Sequence, residues 1–430
     1  MKSQTILRGV VIGVCWMLLT PPALADEPSS PEGWVRFAVD QLCSAEEPLL
    51  GLVAEQALPG AWLLAEDLRT FGGKTGRIDQ RFALPGGHEL RLIRLQPGGQ
   101  LRRLTVEFFT LDRETLRPEF QAMADGACRL QASRRIVRAP NGETLLEQRD
   151  GDLKTVRWRE TLEAPWPDGI DPGGPRVALI DSGLAYDLAI YRNRLARNAD
   201  GAPLGYDFWD EDPLPYDGDT SRSPFLPIRH GSAVASILVR EAPTAALIPF
   251  RYPRPDMTRM GDIVERAAKA GVAVLAMPLG SRDPEDWKTF ADAMRENPEM
   301  LAIVSAGNDG QDIDKQPLWP AALDLENIIT VTSSDGFGRL APGSNWGAAS
   351  VDIMLPAENL DVIDFRGAEG KASGSSYAVT RLAALAVRLL EADPSLEADG
   401  LRALIFSRAV PSPYGDNAVR VGWIPDPLQD

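Results

Sequence analysis

The segment KASGSSYAVT, residues 371–380, joins a turn of small residues to the beginning of an apolar run. Gly374 permits a tight backbone in the turn, and the apolar run at 377–390 predicts a buried helix. A serine at this point has two interpretations. It caps the helix by binding free N–H groups of the first turn, or Ser376 is a nucleophile presented at the helix N-terminus. The segment alone favours the cap, so the rest of the chain decides.

Around this segment the second half of the chain alternates short apolar runs with helical ones. Such alternation predicts an α/β fold in which a mostly parallel sheet is covered on both faces. Function in such sheets collects at the carboxyl ends of the strands. We predict strands at 177–180, 246–250, 272–277, 301–305, 328–332 and 351–355, and helices at 262–270, 287–295, 377–390 and 398–407.

The first half has a different pattern, which predicts a small α+β domain with an antiparallel sheet at 26–162. Hairpin signals, Asn141-Gly142 and Asp150-Gly151, separate its last strands. Residues 163–175 are rich in proline and glycine, which predicts an exposed linker before a second domain at 176–430. We predict strands at 77–84, 89–95, 101–110, 129–138, 143–149 and 153–160, and helices at 34–45 and 113–126.

Residues 1–25 have the pattern of a secretory signal peptide. Lys2 and Arg8 precede a short apolar core, and a small-x-small cleavage site ends at Ala25. The predicted location is therefore periplasmic or secreted. In an oxidising space the two remaining cysteines, Cys43 and Cys128, are expected to form a disulfide, with two free buried thiols as the alternative.

The composition narrows the classes of partner. The net charge of −16 becomes −18 once the predicted signal is removed, which argues against binding nucleic acid or an anionic membrane. The few cysteines and histidines leave no thiolate metal cluster to propose.

Four polar residues of the second half fit one chemistry. Asp181 and Asn308 each follow a predicted buried strand, and His230 opens a helix. Taken singly, each has a structural explanation as a turn or core residue. Together with Ser376 they supply a nucleophile, a base, an acid that orients the base, and a donor for an oxyanion.

The order of these residues separates the classes of serine hydrolase. The α/β-hydrolase order needs a histidine after the serine, and none follows His230. The chymotrypsin order places histidine before aspartate. The order here is Asp181, His230, Ser376, which is that of the subtilisins.

The segments ALIDSGL, RHGSAVAS, VSAGNDG and SGSSYAV resemble the motifs of subtilisin-like serine proteases, the subtilases or S8 peptidases. The resemblance covers most of 176–409 and implies a three-layer subtilisin-like fold and a divergent bacterial-type member with an atypical N-terminal domain. It implies that Asp181 orients the base His230, that Ser376 is the nucleophile, and that Asn308 and the Ser376 N–H stabilise the oxyanion. It also implies two substrate-binding segments, Pro278, Leu279 and Gly280 on one side and Ser305, Ala306 and Gly307 on the other.

The resemblance implies a serine endopeptidase acting on a protein or peptide, with no cofactor needed for the chemistry. A catalytically silent subtilase-fold binding protein is the alternative, because Tyr377 and Thr380 depart from the usual serine motif. The first domain is either a propeptide that inhibits the enzyme or a permanent accessory domain. An acidic loop at 207–219 either holds structural calcium or is a solvated loop, and its irregular spacing favours the loop.

Overall fold

Two β-sheets, built from separate parts of the chain, organise the structure. A computed structural model describes residues 4–5, 28–43, 51–414 and 417–429, which fall into two units, Met1–Leu162 and Glu163–Asp430. The predicted signal peptide lies outside the described residues, apart from two residues that form a short strand. No helix within the described ranges combines the length and the apolar character needed to cross a membrane.

The first unit contains a nine-stranded sheet whose strands neighbour one another in chain order. Its helices are α1 (Pro31–Leu42) and α2 (Gly51–Ala57), and Ser30 caps α1 by accepting a hydrogen bond from the Gly33 N–H. Its strands are β1 (Gln4–Thr5), β2 (Trp62–Phe71), β3 (Lys74–Ala83), β4 (Glu89–Leu95), β5 (Arg103–Asp112), β6 (Thr115–Asp125), β7 (Leu130–Arg138), β8 (Thr144–Asp150) and β9 (Val156–Glu163).

One face of this sheet packs against α1. Trp34 and Val35 of the helix share a buried cluster with Phe82, Leu92 and Val106 of the strands. The expected bridge between Cys43 and Cys128 is present, with a Cα–Cα distance of 5.6 Å. It ties the end of α1 to the turn that follows β6.

The predicted helix at 113–126 is wrong, because this segment forms β6. Arg113 and Glu114 have φ values of 47° and 74° and make a two-residue turn between β5 and β6. Pro118 sits at an irregularity of the pairing, where an extra residue separates the Phe109–Pro118 pair from the Phe108–Phe120 pair. A strand tolerates proline at such a bulge. Helix α2 and strand β2 were not predicted.

The second unit contains an eight-stranded sheet, ordered β11-β12-β10-β13-β14-β15-β16-β19, whose neighbouring strands run parallel. A separate two-stranded hairpin is formed by β17 and β18. The strands are β10 (Arg176–Asp181), β11 (Tyr206–Asp207), β12 (Ala246–Arg251), β13 (Val274–Met277), β14 (Leu301–Ser305), β15 (Ile328–Ser334), β16 (Ile353–Pro356), β17 (Leu360–Ile363), β18 (Glu369–Ala372) and β19 (Gly422–Trp423).

Helices cover both faces of this sheet. They are α3 (Ala189–Arg192), α4 (Gly231–Glu241), α5 (Met260–Lys269), α6 (Lys288–Glu296), α7 (Ser375–Ala392) and α8 (Ala398–Ser407). Successive residues of β10 point to opposite faces: Leu179 joins the cluster that contains α4 and α7, whereas Ile180 joins the one that contains α5 and α6. The predicted three-layer α/β fold with a parallel sheet is confirmed.

The segment at 163–175 is packed on the second unit and is not a free linker. The Trp166 ring stacks on Tyr186 at 4.0 Å and its Nε1 donates to the Pro213 carbonyl at 2.7 Å. The Arg197 side chain donates to the Pro167 carbonyl, also at 2.7 Å. The exposed part is short and centres on Ile170, which is 84% exposed.

Candidate active site

The site begins where β10 ends and α4 starts. Asp181 is the last residue of β10 and is 2% exposed, and His230 directly precedes α4. His230 Nδ1 lies 2.8 Å from Asp181 Oδ2 and 2.9 Å from Oδ1. A methyl group at Gly231 would lie 1.9 Å from the Gly183 carbonyl oxygen, so only glycine lets the helix start this close to the strand end.

A second carboxylate, Asp217, lies beside this pair and is fully buried. It accepts hydrogen bonds from the Ser182 hydroxyl at 2.6 Å, the Ser232 N–H at 2.9 Å and the His230 N–H at 3.3 Å. Two of these donors belong to the beginning of α4, where free N–H groups favour an anion. The sequence alone groups Asp217 with the acidic loop, so its position at the site was missed. Its neighbour Asp219 instead accepts from the Tyr252 hydroxyl.

These contacts set the protonation of His230. Burial lowers the pKa of the imidazole, but the charge and the hydrogen bond of Asp181, with the charge of Asp217 behind them, raise it to about 9. The unperturbed pKa of histidine is about 6.5. Asp181 and Asp217 therefore stabilise the imidazolium relative to a free histidine, and the base form of His230 grows as the pH rises.

The structure distinguishes the three serines of residues 373–376, a segment that leads into α7, includes its first two residues, and is called the serine turn below. Ser373 Oγ accepts from the Asn359 N–H at 2.8 Å. Ser375 shares a 2.7 Å hydrogen bond with Ser305 and donates to Asn308. Ser376 Oγ makes one long contact, 3.4 Å to the Pro278 carbonyl. Of the three hydroxyls, that of Ser376 is the least constrained.

The structure does not join Ser376 to His230. Among the described residues Ser376 Oγ has no hydrogen bond to the imidazole, and its single acceptor is the Pro278 carbonyl. The next residue, Tyr377, places its ring centroid 6.3 Å from that of His230. Catalytic hydrogen bonds are often loose before substrate binds, so the absence of this contact is compatible with a nucleophilic Ser376.

Asn308 is oriented by the turn that carries Ser376. Its Oδ1 accepts from the Ser375 N–H at 2.9 Å and the Ser375 hydroxyl at 3.1 Å. Gly374, with φ of 129°, lets the amide come close. In the described chain Asn308 Nδ2 has no acceptor. The Ser376 N–H, in the first turn of α7, lacks an intrahelical acceptor as well. Two donors are thus available for an oxyanion.

The two predicted substrate segments meet the same turn. Pro278, Leu279 and Gly280 follow β13. Ser305 is the last residue of the parallel neighbour β14, and Ala306 and Gly307 follow it. The segment after β13 contacts Ser376, since the Ser376 hydroxyl lies near the Pro278 carbonyl. The segment at the end of β14 contacts Ser375 through the hydroxyl of Ser305. The sheet therefore places both segments beside the serine turn.

The acidic loop is not simply solvated, because arginines bind several of its carboxylates. Asp207 and Asp210 bind the buried Arg251, and Glu211 binds Arg259 at 2.5 Å. Burial raises the pKa of Asp207 to about 6 although Arg251 opposes the shift. Arginines thus balance much of the acidic charge. In the described ranges no group of three or more histidine, cysteine, aspartate or glutamate side chains is arranged to hold a metal ion.

We predict that the imidazole pKa of His230 depends on Asp217. The chain has only two histidines, so a titration followed by NMR resolves both. We expect His230 to titrate above 6.5 in the wild type, and Asp217→Asn to lower its pKa because one negative charge is removed. The control Asp219→Asn removes a charge from the same loop at a carboxylate that does not bind His230. Equal shifts in the two variants would contradict the prediction.

The second unit has relatives among known proteins. The sequence model of the "Subtilase family" matches residues 173–423. The chain is similar to the thermophilic serine proteinase of Bacillus sp. (strain AK1), at 26% identity over 50% of this chain and 52% of the relative. It is also similar to the subtilisin-like protease 1 of Trichophyton rubrum, at 34% identity over 30% of this chain and 25% of the relative.

Among solved structures, a cold adapted subtilisin-like serine proteinase matches 59% of this chain and 89% of its own, with 21% identity and a TM-score of 0.49. The chain spans about half the length of the first of the two relatives above and a quarter of the second. The family match itself covers more than half of the present chain. The chain therefore belongs to the subtilase family, a family of serine-type endopeptidases.

Proposed function

We propose that this protein is an exported serine endopeptidase that cleaves peptide bonds through an acyl-enzyme. The observation that carries the proposal is the pairing of Asp181 with His230 next to a serine turn that holds Asn308 by its oxygen. This arrangement supplies a base with a fixed ring, an unconstrained hydroxyl at Ser376, and two free N–H donors. These are the parts that acyl transfer to a serine requires.

The proposed reaction begins when the Ser376 hydroxyl turns from the Pro278 carbonyl toward His230 Nε2. His230 removes the proton as Ser376 Oγ attacks the peptide carbonyl, and Asp181 stabilises the imidazolium. Asn308 Nδ2 and the Ser376 N–H stabilise the oxyanion. His230 then gives the proton to the leaving amine, and a water molecule hydrolyses the acyl-enzyme by the same steps.

The proposed substrate is a protein or peptide whose backbone runs along the extensions of β13 and β14. Backbone groups of Leu279 and Gly280 offer one edge. Those of Ala306 and Gly307 are already paired within the protein, so the second segment forms a wall beside the substrate. Pro278 lacks an N–H, so the first residue of its segment contributes only a carbonyl. No nucleic-acid or membrane partner and no cofactor enters this proposal, and structural calcium stays a prediction.

We further propose that the predicted signal peptide directs export and that the first unit is a propeptide that restrains the enzyme. A site of self-cleavage in 163–175 is best placed at Asp168–Ile170. This part of the segment contains the exposed Ile170, whereas Ala164 is buried and Trp166 is stacked on Tyr186. Proteolysis needs an accessible extended backbone.

A second candidate is a catalytically silent subtilase-fold binding protein. One observation favours it, because Ser376 Oγ contacts the Pro278 carbonyl and not His230. In that case the same residues form a peptide-binding surface without an activated serine. Reactivity of the serine separates the two candidates.

We predict that a fluorophosphonate probe labels the wild type at Ser376. Only a serine whose proton is removed by a base reacts with such a probe at a useful rate. Ser376→Ala should abolish labelling, and the control Ser373→Ala should leave it, since Ser373 only binds the Asn359 N–H. Mass spectrometry of the labelled peptide identifies the residue. An unlabelled wild type, after removal of the first unit, would support the silent protein.

We predict that Asn308→Ala lowers kcat by about 10²–10³-fold with a smaller change in KM. The magnitude is borrowed from the corresponding donor of a subtilisin, where such a loss was measured. The reason for the direction is that Asn308 Nδ2 binds the oxyanion and not the ground-state carbonyl. Lys315→Ala, at an exposed position farther along the chain, serves as the control. A loss confined to KM would contradict the assignment.

We predict that the exported wild type is cut within 163–175 and that Ser376→Ala is not. The intact mass of both proteins after export measures the cut directly. Ile170→Pro should move or prevent it by restraining the exposed backbone. If both proteins keep the first unit, that unit is a permanent accessory domain.

A further inference from the structure

We propose that the enzyme accepts only a small, uncharged side chain on the residue that supplies the scissile carbonyl, because Leu318 closes the pocket for it. This inference rests on the proposed function and names the class of substrate for the same site. Its basis is a contact between one leucine and two glycines that lie on opposite sides of the serine turn. Neither the sequence motifs nor the family match assigns a role to Leu318.

The contacts of Ser375 and Ser376 locate the serine turn relative to the two substrate-binding segments. Ser376 Oγ lies 3.4 Å from the Pro278 carbonyl, and the neighbouring Ser375 binds Ser305 and Asn308. The serine turn therefore sits above the gap between the extensions of β13 and β14. In the proposed function this gap lies between the two substrate-binding segments, and we infer that it receives the side chain of the residue that supplies the scissile carbonyl.

Leu318 lies in the gap. A methyl group built at Gly307 would lie 2.7 Å from Leu318 Cδ2, and one built at Gly280 would lie 3.4 Å from the same atom. One carbon atom thus packs against both walls, and Leu318 is only 8% exposed. Gly280 and Gly307 have no side chain to fill the gap, so the depth that remains is set by the leucine.

The walls are held at a fixed separation. Ser281 and Trp319 exchange two backbone hydrogen bonds of 2.9 Å, which fasten the first wall to the segment that carries Leu318. The fully buried Asn345 fastens the second wall, because its Nδ2 donates to the Ala306 carbonyl at 2.8 Å and its Oδ1 accepts from the Asp309 N–H at 2.9 Å. Widening the gap would break these bonds.

An ion pair connects the walls beyond the glycines. Arg282 Nη2 lies 3.0 Å from Asp309 Oδ2, so the segment after Gly280 is joined to the segment after Asn308. Leu318 therefore forms the apolar floor of the gap. The charges of Arg282 and Asp309 neutralise each other, so the pair leaves no net charge to bind a charged side chain. We expect the gap to accept alanine, glycine or serine, and leucine or phenylalanine to require that Leu318 leave its packed position.

The test uses peptide anilides that differ only in the residue before the scissile bond, alanine or phenylalanine. We expect the wild type to give a kcat/KM for alanine at least about tenfold above that for phenylalanine, since a methylene that fits or clashes is worth this much. Leu318→Ala should raise the phenylalanine-to-alanine ratio by at least about tenfold, and Leu318→Val should give an intermediate ratio. The control is Leu323→Ala, a partly buried leucine of the same cluster that lies near neither glycine.

Each preparation is first titrated with the fluorophosphonate probe, so that ratios refer to folded, reactive enzyme. A labelled wild type that prefers phenylalanine, or a ratio that Leu318→Ala leaves unchanged, would overturn this inference and leave the proposed function intact. A wild type that is not labelled would overturn the proposed function, and the inference with it. A shift of equal size in Leu323→Ala would show general loosening of the core and would also overturn it.

Discussion

The buried carboxylate of Asp217 fastens the start of α4 to the end of β10, and the geometry of the site depends on this connection. A carboxylate in the interior costs several kcal/mol of desolvation unless hydrogen bonds satisfy it. Two N–H groups at the helix N-terminus and the Ser182 hydroxyl donate to it here. The helix cannot move from the strand without breaking these bonds to a buried charge, so His230 and Asp181 keep their contact.

Two residues of the site, His230 and Asn308, are each held through one polar atom and keep a second polar atom for the reaction. His230 is held at Nδ1 and leaves Nε2 for proton transfer. Asn308 is held at Oδ1 and leaves Nδ2 for an oxyanion. In each residue the first interaction fixes the orientation, and the second atom then presents its function without a further loss of conformational freedom. Ser376 differs, because its long contact to Pro278 holds it only weakly.

Local signals made the second unit predictable, as in the apolar strand Leu301–Ser305, both ends of which were predicted correctly. The prediction for 113–126 failed because its composition favours a helix, while the turn that makes it a strand has no sequence signature comparable to Asn-Gly. Asp217 had no local signal either, since it looks like one more acid of its loop until the fold brings it to α4. The candidate catalytic residues could be proposed because their chemistry demands particular residue types in a particular order. A residue that positions a catalytic group, such as Asp217, or that sets selectivity, such as Leu318, need not be of one type in a fixed order, so the sequence alone does not reveal it.

The same hydrogen bonds position the oxyanion donors and limit the size of the side chain that the gap accepts. Asn345 and the Ser281–Trp319 bridge hold the walls that the serine turn needs for its contacts with Ser305 and Pro278. Those bonds keep the donors for the oxyanion in place, and they equally prevent the gap below from adapting to a larger side chain. A protein interior is densely packed, so one added carbon atom strains the neighbouring side chains because they have no space into which to move. A change of selectivity in this fold is therefore expected to come from the one side chain that fills the gap, because movement of its walls would also displace the oxyanion donors.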